Sequence, residues 1–91
     1  MPEVLFTVLL PGGETRDCYS PSTVVRDYFR AGQELPVEQF LQLSREALAA
    51  ASERVRTKYG FGCSSASASM EAIEEWARPL PAGASLRILR L

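Results

Sequence analysis

Histidine is absent from this 91-residue sequence, and cysteine occurs only twice, at Cys18 and Cys63. Without histidine the usual Cys and His sets of structural zinc cannot be assembled within one chain, and the Cys and His pairing of cysteine hydrolases is excluded as well. No metal or other cofactor is expected. Two cysteines also fall short of the disulfide framework that staples small secreted domains, so both are expected as thiols, with a Cys18 to Cys63 bridge left open as the alternative. Long apolar runs are missing too. The longest near the start, Val4 to Leu10, is interrupted by Thr7 and is far shorter than the roughly 20 residues that cross a bilayer. The expectation is a cytoplasmic protein with no membrane partner. Nor does one sign of charge dominate: ten Lys plus Arg face eleven Asp plus Glu, a net charge of -1. That balance provides no field to gather nucleic acid, which is not an expected partner.

What remains is the composition of an ordinary folding domain, 46% apolar and 23% charged, in a chain long enough for one domain spanning residues 1–91 and no more. Glu3 to Leu10 reads as a central strand, because Val4, Phe6, Val8 and Leu10 alternate with Leu5, Thr7 and Leu9 and both faces are mostly apolar. Pro11, Gly12 and Gly13 supply the turn to a more polar strand, Glu14 to Tyr19, completing a hairpin. Ser20 or Ser22 then caps a short helix from Thr23 to Arg30, closed by Gly32.

The clearest periodicity runs from Pro36 to Tyr59, where Val37, Phe40, Leu41, Leu48, Ala51, Val55 and Tyr59 recur at three- and four-residue steps. This predicts one long helix stopped by Gly60, with Phe40, Leu41, Leu48 and Val55 in the core and the Ala47 to Ala51 stretch offering a low surface for close packing. Ser67 to Arg78 reads as a third helix, capped by Ser64 or Ser65 and ended by Pro79, and Ala84 to Leu91 as a final strand. The expected fold is α+β, in the order strand, strand, helix, helix, helix, strand: a three-stranded, mainly antiparallel sheet covered on one face by helices, including the long one. One sheet face is then left without cover, so a partner is expected, most simply a second copy in a homodimer.

Residues with chemistry to offer are few. Cys63 precedes a predicted helix start, where free N–H groups and the helix dipole stabilise a thiolate, and Ser64 and Ser65 add hydroxyl donors at the same place. Cys63 is therefore the candidate nucleophile, and Cys18, Cys63, Ser64 and Ser65 are the candidate ligand-binding set, weighed against the plainer reading of a small packed thiol. Asp17 beside Cys18 raises that thiol's pKa and disfavours it as a nucleophile. Arg54, Arg56 and Lys58 form a basic patch near the aromatic pair Tyr59 and Phe61, and they also suit the negative end of the helix dipole. Glu71, Glu74 and Glu75 read as a solvated helix face.

Cys18, Tyr19, Ser20, Pro21, Ser22, Thr23, Val24 and Val25, together with Ser52 to Arg56, Lys58 to Phe61 and Cys63 to Ala66, resemble a family of small bacterial nitrogen starvation response proteins. Genes of that family lie beside a nitrilase and other enzymes in a cluster associated with nitrile or cyanide use. The resemblance covers residues 1 to about 66 and carries no catalytic residues with it. It implies a bacterial cytoplasmic accessory protein; with the small size, the lack of histidine and the doubly apolar first strand, the expectation is a non-catalytic accessory or protein-interaction protein, as a homodimer or in complex with an enzyme of the same cluster. The alternative is a small thiol-dependent enzyme or ligand carrier using Cys63.

Overall fold

Alternation along the first strand decides which side of the sheet becomes the core. Val4, Phe6, Val8 and Leu10 are buried, whereas Leu5 is 71% exposed and Thr7 and Leu9 are only partly covered. The structure is a computed structural model that describes residues 3–60, 64–81 and 83–91, with Tyr59 described through its backbone alone. Its elements are β1 (Val4–Leu9), β2 (Thr15–Ser20), a 3-10 turn (Thr23–Asp27), β3 (Glu34–Pro36), α1 (Val37–Tyr59), α2 (Ser64–Ala77) and β4 (Ser85–Arg90).

The expected α+β layering holds, with β1 interior and β4 beside it, but the sheet has four antiparallel strands in the order β2-β1-β4-β3 rather than three. The additional strand has a physical cause. After the 3-10 turn the chain meets the free edge of β4: the Gly32 N–H donates to the Ile88 carbonyl at 2.6 Å, and the Ile88 N–H donates to the Gln33 carbonyl at 2.8 Å. Glu34, Leu35 and Pro36 then pair with Arg87, Leu86 and Ser85. Three residues ending in proline carry no alternation to read, and only the distant edge of β4 makes them a strand.

The same recruitment shortens the first expected helix. Ser22 does cap it, accepting the Val24 N–H at 3.3 Å, but the helical residues stop at Asp27 as a single 3-10 turn. Val24 and Val25 are β-branched and point into the core, a poor start for an α-helix and a good anchor for a turn. Ser20 holds this corner as well, donating its Oγ to the Ser22 carbonyl at 2.7 Å.

α1 matches its periodicity closely. Phe40, Ala47, Leu48 and Ala51 are buried, while Leu41 and Val55, expected fully inside, are only partly covered. Gly60 ends the helix at φ 85 and donates its N–H to the Arg56 carbonyl at 2.7 Å, a left-handed cap that favours glycine. Pro36 closes β3 and stands just before α1 rather than within its first turn. α2 begins at Ser64, earlier than the expected Ser67, and buries Ala66, Ile73 and Ala77.

Four aromatic rings join all of these layers. Phe6 of β1 lies 6.0 Å from Phe29, Phe29 lies 5.5 Å from Phe40 of α1, and Phe40 lies 5.7 Å from Trp76 of α2, ring centroid to ring centroid. Truncating Phe40, which is 0% exposed, removes the ring that touches both neighbours. Phe40→Ala is therefore expected to lower unfolding free energy by roughly 3–5 kcal/mol in urea titrations. An unchanged midpoint would show that this column does not hold the layers together.

Candidate functional site

The residues expected to carry chemistry fall in separate places. Cys18 lies on β2 opposite Phe6, on the core side of the sheet and 4% exposed. It is a free thiol. Burial, and secondarily the Asp17 carboxylate, pushes it up to about 12, so at neutral pH it is neither a thiolate nor open to a ligand. The structure places Cys18 as a packed core thiol. Cys63 lies outside the described residues. Ser64 and Ser65 are the first residues of α2 rather than residues capping it from outside, with Ser64 exposed and Ser65 half-buried.

The basic patch is divided by an internal pair. Arg56 donates from Nε and Nη2 to the two carboxylate oxygens of Glu53 at 3.1 and 2.6 Å. This contact holds the Glu53 carboxyl below its ordinary range and raises the Arg56 guanidinium. Arg54 and Lys58, four residues apart, border a shallow groove with Ala50, Thr57 and the same Glu53. The trio thus presents no single cationic surface. A second open groove, about 360 Å3, runs between α1 and α2 over Leu48, Ala66 and Met70. Near it Glu74 accepts from Arg45 across the helix pair at 3.3 Å and from Arg78 on its own side. Partial desolvation pushes the Glu74 carboxyl up, but the contacts with Arg45 and Arg78 outweigh it and hold the group below its ordinary range. Glu71 and Glu75 are solvated as expected, whereas Glu74 is a helix-to-helix tie only 21% exposed. Among the described residues no group of three or more His, Cys, Asp or Glu is placed to hold a metal ion.

The most unusual surface is the sheet face opposite the helices. One-sided antiparallel sheets normally turn polar residues outward, yet β1 turns out Leu5 and Leu9 on either side of Thr7. Tyr19 pairs with Leu5, Asp17 with Thr7 and Thr15 with Leu9, so β2 lays these beside them. On β4 the register slips between Thr7 and Val8: Ile88 pairs with Val8 but Arg90 pairs with Thr7. The extra residue is Leu89, 41% exposed, and such a bulge turns adjacent side chains toward the same face. Arg87 continues the face and meets Glu34 of β3 at 3.6 Å. Sequence reading had named Leu5 and Leu9, but not Asp17 or Arg90 as members of a surface. The alternation of β4 hints at Arg87 and Leu89; the slip that brings Arg90 to the same side is invisible without the pairing.

The outer edge of β2 is occupied by contrast. The Leu10 N–H donates to the Glu14 carbonyl at 2.7 Å, and the antiparallel alternation from that pair turns the backbone groups of Thr15, Asp17 and Tyr19 away from β1. The Arg16 guanidinium donates to the Thr15 carbonyl at 2.9 Å, and Ser69 Oγ of α2 donates to the Tyr19 carbonyl at 2.5 Å. At the other edge β3 is short and ends in Pro36. Both edges thus resist strand addition.

A family model described as nitrogen starvation-induced protein NitG matches residues 5–91. The match extends through α2 and β4, past residue 66, where the resemblance read from the sequence fades. No curated protein and no solved structure matches the chain. No helix among the described residues is long and apolar enough to cross a membrane.

The placement of Cys18 sets its pH behaviour. Its folded pKa is raised, so its contribution to stability is present below the unfolded value of 9.0 and is lost as pH rises toward about 12. The stability advantage of wild type over Cys18→Ala should shrink by about 1.4 kcal/mol between pH 8 and pH 10. A constant difference across that interval, read by urea titration, would place the thiol in water.

Proposed function

The chain belongs to the nitrogen starvation-induced NitG family, and from that membership we propose that it is a non-catalytic accessory protein of bacterial nitrogen metabolism that works by protein contact. In this reading it acts in the cytoplasm, on or beside the enzymes of its gene cluster, a nitrilase among them. The observation that carries the proposal is the uncovered sheet face, where Leu5 at 71% and Leu89 at 41% exposure are the large apolar side chains left in water. Apolar residues at the outward positions of a central strand cost solubility and are retained where something covers them. The buried, protonated state of Cys18 and the self-contained Glu53 and Arg56 pair support the same reading, since neither is available to a substrate.

The alternative, thiol chemistry at Cys63, separates from this proposal by substitution. In a deletion strain limited for nitrogen, plasmid-borne Cys63→Ser should restore growth as wild type does, while Leu5→Lys should fail although the protein accumulates and folds. The opposite pattern, with Cys63→Ser inactive and Leu5→Lys active, would overturn the contact reading in favour of a reactive thiol.

A further inference from the structure

The uncovered face carries a charge pattern that selects its occupant. One row across the sheet runs Asp17, Thr7, Arg90, from β2, β1 and β4 in turn. Asp17 accepts the Thr7 hydroxyl at 3.0 Å, and among the described residues neither Asp17 nor Arg90 takes part in an ion pair. Strand spacing sets their Cα atoms roughly 10 Å apart on either side of β1, and the two side chains do not pair with each other within the chain. Arg87, the other cation of this face, is already engaged by Glu34.

We propose that a second copy of this chain covers the face, packed sheet on sheet about a two-fold axis running along β1, with Asp17 of each copy opposite Arg90 of the other. This names the partner for the surface in the proposed function and rests on that reading. The charges choose the axis. A two-fold along β1 exchanges the β2 and β4 sides, so each carboxylate meets a guanidinium. A two-fold across the strands would lay β2 on β2 and set Asp17 against Asp17. The chosen axis also stacks Leu5 on Leu5 and Leu9 on Leu9 of the other copy along β1, on either side of Thr7, with the ion pairs to the two sides of that line. Aligned sheet packing of this kind is a common solution for two apolar sheet faces.

Edge-to-edge pairing, the other way two sheets associate, is disfavoured by the edges. Arg16 and Ser69 occupy outward carbonyls of β2, and Pro36 ends β3, so a continuous sheet through two copies is disfavoured. Area sets the strength. Three strands of six residues and a fourth of three make a face of at most roughly 20 by 19 Å. That lies at or below the lower limit of specific interfaces, about 1,200 Å2 in total, so the dimer is expected to be micromolar and concentration-dependent.

Sedimentation equilibrium of the purified chain from micromolar to millimolar concentration tests the proposal, with circular dichroism confirming that each variant is folded. Wild type should pass from monomer to dimer. Asp17→Arg and Arg90→Asp should each weaken dimerisation at least tenfold, because each sets like charges together twice in a homodimer. An equimolar mixture of the two variants should dimerise again, since both cross-pairs become opposite in sign, and so should the double variant. Leu5→Lys, a change at an exposed position that the monomer tolerates, should remain monomeric. A monomeric wild type throughout, or single variants that dimerise as wild type does, or a mixture that fails to recover, overturns the proposal. A monomeric wild type combined with loss of growth support by Leu5→Lys would overturn only the second copy and leave docking on another protein standing.

Discussion

The column of rings from Phe6 through Phe29 and Phe40 to Trp76 is the constraint on which the rest of this fold depends. Each ring comes from a different part of the chain: the first strand, the loop after the 3-10 turn, the long helix and the second helix. Large rings bury on the order of 150–250 Å2 apiece, and at about 25 cal/mol per Å2 each contributes several kcal/mol. The ion pairs among Arg45, Glu74 and Arg78 lie on the outside of the helix layer, where solvent screening leaves them little to add. Ring packing therefore decides where the helices sit, and the charges adjust to it.

Every ring of the column lies on one side of the sheet, and none of the described elements covers the other. The Phe6 side of β1 receives both helices, and the Leu5 side receives none. Edge protection and face exposure then have different causes. The edge of β2 is blunted by Arg16 and Ser69, which disfavours strand addition, while the face is left open with Leu5 and Leu9 on either side of Thr7. A face with protected edges and outward leucines on its inner strand suits face-on contact with a partner.

Much of this was legible in the sequence, and the failures have physical reasons. The hairpin, the interior position of β1, the long helix with its Gly60 stop and a serine cap at Ser20 or Ser22 all rest on local signals: alternation, turn residues, periodicity and side-chain hydrogen bonding. β3 and the shortened first helix rest on the hydrogen-bonding demand of β4, more than fifty residues away in Arg87 and Ile88, which no local window contains. Cys18 was recognised as a poor nucleophile from Asp17, but its burial, the larger cause, depends on how α2 lies over β2. The basic patch of Arg54, Arg56 and Lys58 looked continuous because charge counting ignores direction; Arg56 turns to Glu53. The contribution of Arg90 to the open face comes from a slip in pairing, a tertiary event that alternation alone would have placed on the wrong side.

In the proposed function the working surface of this protein is the sheet face away from the helices. Backbone and methyl NMR spectra recorded as protein concentration rises test it directly, because any self-contact marks its own residues. The account predicts concentration-dependent shifts confined to Leu5, Thr7, Leu9, Asp17, Tyr19, Leu89 and Arg90, with the solvent faces of both helices unchanged. Shifts centred instead on Arg54 and Lys58 or on the groove between α1 and α2, with Leu5 and Leu9 silent, would contradict it.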